Sequence, residues 1–271
     1  VFVTIETPMT NVVLGNEHPE GRWWVAGSTD SGHLEFREHD GRLAARVETP
    51  NVYHFIRFDR AGHLHTVSPA GYYRWPVIQE ASGAWVVGPP RRLPWLGTTL
   101  VYSSGDGQRL LARGRNKQFF AFSIDRPSEL VSLGSGESGE LSPDGRFAII
   151  KHSDAASFSI WNANSGTELT TLQVRAASFA FSEDGRRMLL AGEEISAKVL
   201  ETDTWSELRD FGPTPFAHLS PDGNQLVLEE GTGVLRLVDV ISGKTLARLV
   251  NPEGTRSQPS FSPNGTQIYS R

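Results

Sequence analysis

Two histidines, His63 and His65, stand two residues apart in the sequence. Because side chains of a β-strand alternate between its faces, these two would share one face of a predicted strand and could bind one metal ion. The neighbouring sequence offers no obvious third ligand. The spacing therefore favours a solvated or hydrogen-bonded pair over a metal site.

Two short motifs match patterns found in nucleotide-dependent enzymes. Residues 134–139 follow the G-x-G-x-x-G spacing, which holds phosphate where the loop opens a helix. Here a predicted strand and Pro143 follow, so we predict a linker between structural repeats. The triplet Asp210-Phe211-Gly212 reproduces a kinase metal-binding motif, but no His-Arg-Asp sequence accompanies it. We predict that this triplet lies at a turn between repeats.

Residues 88–95 form a Pro-rich stretch that carries Arg91, Arg92 and Trp95. We predict that this stretch is the longest irregular connection in the chain. Arg and Trp often anchor protein interfaces, which makes the three side chains candidate interaction residues. The alternative is a stiff loop whose Trp95 packs onto the sheets.

A recurring turn sets the elements that would hold these residues. Its pattern is Ser-Pro-Asp-Gly or a variant, in which Pro presets φ, Asp caps the backbone and Gly supplies a positive φ. The closing glycines are Gly21, Gly62, Gly107, Gly145, Gly185, Gly223 and Gly265. They recur about every 40 residues, which is the period of a four-stranded propeller blade.

The apolar runs between these turns predict short antiparallel strands, most clearly in residues 219–250. Val, Leu, Ile and Phe occupy odd and even positions alike, so each sheet needs cover on both faces. Sheets stacked around an axis provide that cover. We therefore predict an all-β fold, a seven-bladed β-propeller of four-stranded antiparallel blades, with residues 1–271 forming a single domain.

The two ends of the chain are expected to meet in the last blade. Residues 1–6 stand in the register of a fourth strand, and residues 259–261 and 267–270 are predicted to be the first two strands of that blade. No third strand remains for it, so we expect either an incomplete blade or a clipped chain. We also expect the chain to be a fragment of a longer protein, because residue 1 already lies in a predicted strand.

Composition argues against several classes of function. The net charge is −5, without a block of like charges, so binding to nucleic acid or to anionic lipid has no electrostatic basis. The absence of cysteine excludes disulfides, thiol nucleophiles and cysteine-ligated metals. No apolar run approaches the roughly 18 residues of a membrane helix. We predict no cofactor and no membrane insertion by this segment.

Residues 141–173, 181–211 and 219–250 resemble WD40 repeats. The features that match are the Ser-Pro-Asp-Gly turn, a third strand ending in Ile160-Trp161-Asn162, and the turns around Gly166 and Gly243. No unit carries the family's Trp-Asp dipeptide, so its Asp-His-Ser/Thr-Trp hydrogen-bond set should be absent or fragmentary. The resemblance implies a seven-bladed platform for protein partners. The resemblance also suggests a bacterial multidomain parent protein, such as a Ser/Thr kinase that carries a C-terminal repeat region.

Polar residues recur in the first strand of the units, five residues before the turn glycine, where the resemblance implies a small residue. The residues at this position are Asn16, Arg57, Glu140, Ala180, His218 and Ser260. An isolated buried charge is costly, so polar groups here must be paired or hydrated. They form either contacts between blades or a polar site at the channel mouth, with Arg57, Glu140 and His218 as candidate residues.

The sequence thus predicts a non-catalytic module for protein–protein interaction or sensing, set within a larger multidomain protein. Its partners would be proteins of unknown identity. The alternative is a propeller hydrolase or lyase that uses Glu140 and His218 near the channel. The two hypotheses differ in whether Asn16, Arg57, Glu140 and His218 converge on an open cavity.

Overall fold

The computed structural model describes residues 12–18, 23–28, 32–38, 40–49, 55–59, 61–68, 71–81, 85–93, 100–114, 116–153, 157–174, 178–231, 233–250, 259–262 and 264–270. Every regular element among these residues is a β-strand, which confirms the all-β prediction. In this part of the chain there is no helix with the length and hydrophobicity to cross a membrane.

The chain divides into two compact units, Val1–Ser132 and Leu133–Arg271. The first unit begins with sheet 1, whose strands pair in the order β1 (Val12–Glu17), β2 (Trp23–Ser28), β3 (His33–Glu38) and β4 (Leu43–Glu48). Sheet 2 and its insertion comprise β5 (Phe55–Phe58), β6 (Leu64–Ser68), β7 (Gly71–Trp75), the separate hairpin β8 (Val77–Gln79) and β9 (Trp85–Val87), and β10 (Arg91–Leu93). Sheet 3 comprises β11 (Leu100–Ser103), β12 (Arg109–Arg113), β13 (Gln118–Ser123) and β14 (Val131–Ser135), and the division between the units falls within β14.

The second unit continues the pattern of short antiparallel sheets. Sheet 4 comprises β15 (Ser138–Leu141), β16 (Phe147–Lys151), β17 (Ser157–Asn162) and β18 (Glu168–Gln173). Sheet 5 comprises β19 (Ser178–Phe181), β20 (Arg187–Glu201) and β21 (Ser206–Thr214). Sheet 6 comprises β22 (Ala217–Leu219), β23 (Gln225–Gly231), β24 (Val234–Asp239) and β25 (Thr245–Val250), and sheet 7 comprises β26 (Pro259–Phe261) and β27 (Ile268–Ser270).

Strand β20 is unusually long at 15 residues. A straight strand of that length would span about 50 Å, yet the Thr202 N–H just after its end donates to the Arg186 carbonyl just before its start, at 2.9 Å. The Val240 N–H makes the same bond to the carbonyl of Asn224 across the second and third strands of sheet 6, also at 2.9 Å. The two halves of β20 therefore lie side by side, and sheet 5 keeps the predicted four-strand layout.

Consecutive sheets pack face to face within each unit. Leu189 and Ala191 of β20 join an apolar cluster with sheet 6, whereas Met188 and Leu190 join a cluster with sheet 4. Alternate side chains of one strand are thus buried on opposite faces. Further clusters join sheet 1 to sheet 2, sheet 2 to sheet 3, and sheet 6 to sheet 7. The prediction that these sheets need cover on both sides is confirmed for sheet 5, which has a neighbour on each face.

The recurring turn has the geometry that its residues predict. The Ser142 hydroxyl donates to Asp144 Oδ1 at 2.6 Å, and the Gly145 N–H donates to the Ser142 carbonyl at 2.8 Å. The same two bonds occur in the turns that begin at Ser104, Ser182, Ser220 and Ser262, where Asn264 replaces Asp in the last. The closing glycines of these five turns have φ between 66° and 72°, a left-handed conformation that glycine adopts without strain.

The turn glycines also lie against the turn of the preceding sheet. A Cβ added to Gly185 would stand 2.4 Å from Cγ of Asp144, so only a hydrogen atom fits there. Gly62 lies equally close to His18 and Gly107 to Asp59, with an added Cβ at 2.7 and 2.6 Å from the nearest atom. Gly223 lies less closely against Ser182, where a Cβ would be 3.0 Å away, and Gly265 makes an ordinary contact with Pro221 at 3.5 Å. Adjacent sheets of each unit therefore meet turn against turn as well as core against core.

Sheet 2 departs from the predicted layout. The expected irregular connection over residues 88–95 is wrong in part, because Arg91–Leu93 forms the fourth strand beside β7. Leu93 is buried in the core between sheets 2 and 3, which explains why this segment becomes a strand. The extra length instead forms the β8–β9 hairpin.

Two predictions concern the ends of the chain. Strands β26 and β27 pair antiparallel, as predicted for the first two strands of a last blade. Residues 1–6, predicted to complete that blade, lie outside the described residues, and so does Trp95.

Candidate functional site

The candidate residues Glu140 and His218 lie on the first strands of their sheets and are half-buried. Glu140 pairs with Ile149, which packs on sheet 5, and His218 pairs with Val227, which packs on Phe261 of sheet 7. Because cross-strand partners share a face, Glu140 faces sheet 5 and His218 faces sheet 7. The two side chains therefore point into different sheet interfaces.

His218 has the environment of a neutral residue in an apolar interface. Its ring centroid lies 6.1 Å from that of Phe261, at an interplanar angle of 44°. Burial lowers the pKa of the imidazole. Its Nδ1 is buried and has no hydrogen-bond partner among the residues that the structure describes. A charged imidazolium is disfavoured here.

The third candidate, Arg57, lies in the first unit on β5 and is half-buried. Across the sheet, Arg57 of β5 pairs with His65 of β6, and His65 pairs with Arg74 of β7. Arg74 pairs in turn with Arg91 of β10. One face of sheet 2 therefore carries a row of basic residues that runs across four strands. The side chain of Asn16, the remaining polar candidate, lies outside the described part of the chain.

Two residues of this row belong to a cluster of ionisable side chains that we call the Asp59 cluster: Asp59, His63, His65, Tyr72 and Arg74. Oδ2 of Asp59 accepts a hydrogen bond from Arg74 Nη2 at 2.9 Å and lies 3.0 Å from His65 Nε2. Its Oδ1 lies 3.2 Å from His63 Nδ1. The other ring nitrogen of His65 contacts the hydroxyl of Tyr72. Strands β6 and β7 and the turn before β6 thus converge on one carboxylate.

Burial and hydrogen bonding set the charges in this cluster. Burial by itself would raise the pKa of Asp59, but hydrogen bonds from His65, the His63 N–H and Arg74 outweigh it and lower the pKa to about 2. Burial lowers the pKa of His65, although the neighbouring Asp59 opposes the shift. Asp59 is therefore a carboxylate and His65 a neutral ring near neutral pH. The Asp59 carboxylate therefore forms its ion pair with the guanidinium group of Arg74.

The cluster bears on the hypothesis of a metal site at His63 and His65. Both rings approach Asp59, so the structure supplies the third ligand type that the sequence did not reveal. However, Arg74 donates to that carboxylate, and its Nη2 lies 3.1 Å from His63 Nδ1, where its charge would repel a metal cation. Within the described ranges no group of three His, Cys, Asp or Glu residues could hold a metal ion. The bonds to Asp59 confirm the hydrogen-bonded interpretation of the pair.

The Asp59 cluster connects sheet 2 to sheet 3. A Cβ on Gly107, in the turn of sheet 3, would lie 2.6 Å from Asp59 Oδ2 and 2.7 Å from His65 Nε2. Asp59, His65 and Tyr72 are almost completely buried. A paired network of this kind rigidifies an interior and leaves no room for a substrate at His65. The sequence hint was the replacement of Ser by Asp59 in the turn pattern.

Arg91 was a candidate anchor for a partner, and the structure shows an intramolecular contact for it. Arg91 Nη2 lies 3.4 Å from the Ile124 carbonyl of sheet 3, and Nη1 lies 3.4 Å from Asp125. In the second unit Arg209 of β21 similarly donates to the carbonyls of Val240 and Ile241 in sheet 6, at 3.2 and 2.6 Å. Both arginines connect the outer strand of one sheet to a turn of the next.

The remaining candidates differ in accessibility. The side chain of Arg91 stays 55% exposed despite its contacts. Its neighbour Arg92 is also exposed on β10. These two arginines, unlike Glu140 and His218, lie where another molecule could reach them.

The two enzyme-like motifs take structural positions. Residues 134–139 span the end of β14, a two-residue connection and the start of β15, so the predicted linker is confirmed for residues 136–137 alone. The Glu137 N–H of this connection donates to the Lys151 carbonyl at 2.8 Å. The prediction of a turn at Asp210-Phe211-Gly212 is wrong, because β21 continues through this triplet and Asp210 pairs with Lys198 of β20. The Asp210 carboxylate lies 3.5 Å from the Lys198 ammonium group.

Comparison of the chain with known protein families finds no matching family model, and comparison with curated proteins finds no match.

Proposed function

We propose that the chain is a WD40-like β-propeller that acts as a non-catalytic platform for protein partners. The observation that carries the proposal is the contact repeated between consecutive sheets, in which turn glycines lie on the preceding turn and apolar clusters fill the space between sheets. Stacking of four-stranded sheets in chain order is the arrangement of a propeller.

Sheet 1 supports closure into a seven-bladed ring. Leu34 and Phe36 of β3 pack on sheet 2, so Glu35 and Arg37 lie on the opposite face. That face is also covered, since Glu35 is 0% and Arg37 8% exposed. Glu35 is paired with Arg37 and Arg46, each at 2.7 Å. In a closed ring the last blade, completed by residues 1–6, would cover this face.

The polar groups that the structure describes support the non-catalytic part of the proposal. The Asp59 cluster is enclosed between sheets 2 and 3, while Glu140 and His218 face separate interfaces. A catalytic site needs such groups to converge beside a space for the substrate. In a longer protein the platform would accompany another domain, such as the kinase domain of a bacterial Ser/Thr kinase with a repeat region.

Ring closure is tested by cross-linking, which is simple here because the chain has no cysteine. Cysteines introduced at Thr4 and Tyr269 and treated with a short bis-maleimide should give an internally linked monomer in high yield. A control with cysteines at Thr4 and Thr170 should remain unlinked. Equal yields in the two variants would contradict the closed ring.

The platform role is tested with the purified chain as bait, followed by titration calorimetry with each captured protein after its own purification. We expect at least one protein to bind saturably. The role would be refuted if no purified protein binds, or if the chain turns over ester, glycoside or polyuronate substrates and the Glu140→Gln or His218→Gln variant loses that turnover.

A further inference from the structure

The β8–β9 hairpin interrupts the repeat inside sheet 2. It lies between the third strand β7 and the fourth strand β10, and it forms a two-stranded sheet of its own. Its base is closed by the Gly88 N–H, which donates to the Pro76 carbonyl at 2.8 Å. Sheets 1, 3, 4 and 6 have no such addition between their third and fourth strands in the ranges described. The hairpin is therefore an ordered addition to the repeat.

The two faces of the hairpin differ in what they contact. Val77 and Val87 are cross-strand partners and join the apolar cluster between sheets 1 and 2. Ile78 and Val86 are also partners, one residue along each strand, so they occupy the opposite face. Ile78 is 57% exposed and Val86 is 41% exposed. The outer face of a solvated sheet normally carries polar side chains, so this aliphatic pair marks a surface with a second use.

Basic side chains lie next along the chain. Pro89, Pro90, Arg91 and Arg92 follow the hairpin and are all exposed. Arg92 is the cross-strand partner of Tyr73, which packs on the cluster between sheets 1 and 2, so Arg91 lies on the opposite face, as Ile78 and Val86 do. Asp125 lies 3.4 Å from Arg91, but the two side chains are 55% and 70% exposed, and such a pair contributes little. Arg91 can therefore still bind another carboxylate. The surface combines aliphatic and cationic groups.

We propose that the hairpin face, defined as Ile78, Val86 and Arg91, binds an extended protein segment that carries aliphatic and carboxylate side chains. The proposal rests on the platform role and assigns a place to it. Arg91 favours a carboxylate on the partner, and the aliphatic pair favours apolar side chains. A short two-stranded sheet also suits the addition of an extended segment along its edge. A second copy of the chain is disfavoured because a two-fold contact here would bring arginines together.

The experiment measures binding of a fluorescein-labelled peptide that alternates leucine with glutamate, by fluorescence anisotropy. Its counterpart with lysine in place of glutamate serves as the charge control. We expect the glutamate peptide to bind and the lysine peptide not to bind. Ile78→Ser/Val86→Ser should weaken binding by more than about tenfold, and Arg91→Gln by about two- to fivefold.

A matched pair of exposed aliphatic residues controls for unspecific adhesion. Leu246 and Val250 on β25 are 47% and 72% exposed, so Leu246→Ser/Val250→Ser should leave peptide binding unchanged. The proposal is overturned if the glutamate peptide does not bind, if the lysine peptide binds equally well, or if the β25 variant loses as much affinity as the hairpin variant.

Two further outcomes separate this proposal from its alternatives. Vesicles of phosphatidylserine and phosphatidylcholine that bind the chain through Ile78 and Val86, without peptide binding, would overturn it in favour of a membrane contact. A purified protein partner whose affinity is unchanged by Ile78→Ser/Val86→Ser would refute the hairpin face but retain the platform role. The absence of any partner would refute the platform role itself.

Discussion

Replacement of a turn glycine by alanine tests whether the sheets are held together turn against turn. Gly185 and Gly265 close turns of the same hydrogen-bond pattern, with φ of 69° and 70°. A Cβ on Gly185 would stand 2.4 Å from Asp144, whereas a Cβ on Gly265 would find its nearest neighbour, Pro221, at 3.5 Å. Gly265→Ala is therefore a matched control that keeps the backbone strain and omits the clash.

The expected magnitudes follow from these distances. An alanine in the left-handed region costs about 1–2 kcal/mol, which applies to both variants. Overpacking at Gly185 adds about 1–3 kcal/mol, because Asp144 is held by the Ser142 hydroxyl at 2.6 Å and the Arg146 N–H at 3.1 Å and cannot move away cheaply. We expect a total of about 2–5 kcal/mol for Gly185→Ala.

The assay is urea unfolding followed by tryptophan fluorescence. A second comparison repeats Gly185→Ala in an Asp144→Ala background, where the clash is gone and the extra cost of about 1–3 kcal/mol should disappear. The reasoning would be refuted if Gly185→Ala and Gly265→Ala destabilise the chain equally. It would also be refuted if the cost at Gly185 were the same with and without Asp144.

The remaining predictions concern charge, pH and backbone strain. Asp59→Asn should lower the free energy of unfolding, measured in urea, by about 3–5 kcal/mol, because it leaves the mostly buried guanidinium of Arg74 without its counter-charge. The exposed control Asp125→Asn should lower it by less than about 1 kcal/mol. Equal costs would contradict the pairing of Asp59 with Arg74. His218 has a pKa lowered by burial from 6.5, so its contribution to stability is present above pH 6.5 and is lost as the pH falls below it. His218→Phe should accordingly flatten the decline of thermal stability between about pH 7 and about pH 5, and an unchanged slope would contradict a neutral His218. Trp205 has φ 56° and its ring centroid lies 5.0 Å from that of Phe147. Both Trp205→Ala and Trp205→Gly lose that contact, but only the alanine variant keeps the backbone strain. The melting temperature of Trp205→Ala should therefore be lower than that of Trp205→Gly by an amount equivalent to about 1 kcal/mol. Equal melting temperatures would contradict strain at this position.

The turn around Gly223 illustrates how much of the fold can be predicted locally. Ser220, Asp222 and Gly223 make their hydrogen bonds within a few residues, so the sequence is enough to place the reversal and the strands beside it. The register of the hairpins follows, since each turn leaves few ways to pair the apolar runs. The local pattern predicted an irregular connection over residues 88–95 and missed the strand Arg91–Leu93, because only the core between sheets 2 and 3, where Leu93 is buried, favours a strand there.

The Asp59 cluster shows where local patterns stop being informative. His63 and His65 were visible as a pair, but Arg74 is remote from them in sequence and meets Asp59 only because β6 and β7 pair in a particular register. The candidates Glu140 and His218 likewise looked equivalent in sequence. Their sheets place them in different interfaces.

The sequence alone determined the turns, the strand-forming runs and the need of the sheets for cover on both faces, because these depend on the chemistry of residues that are close together in the chain. The tertiary structure decided which side chains meet, as in the pairing of Asp59 with Arg74 and the exposure of Ile78 beside Val86. Such contacts depend on strand register and on stacking between sheets. Both arise from burial of apolar surface that is distributed over the whole unit and is not encoded in any single segment.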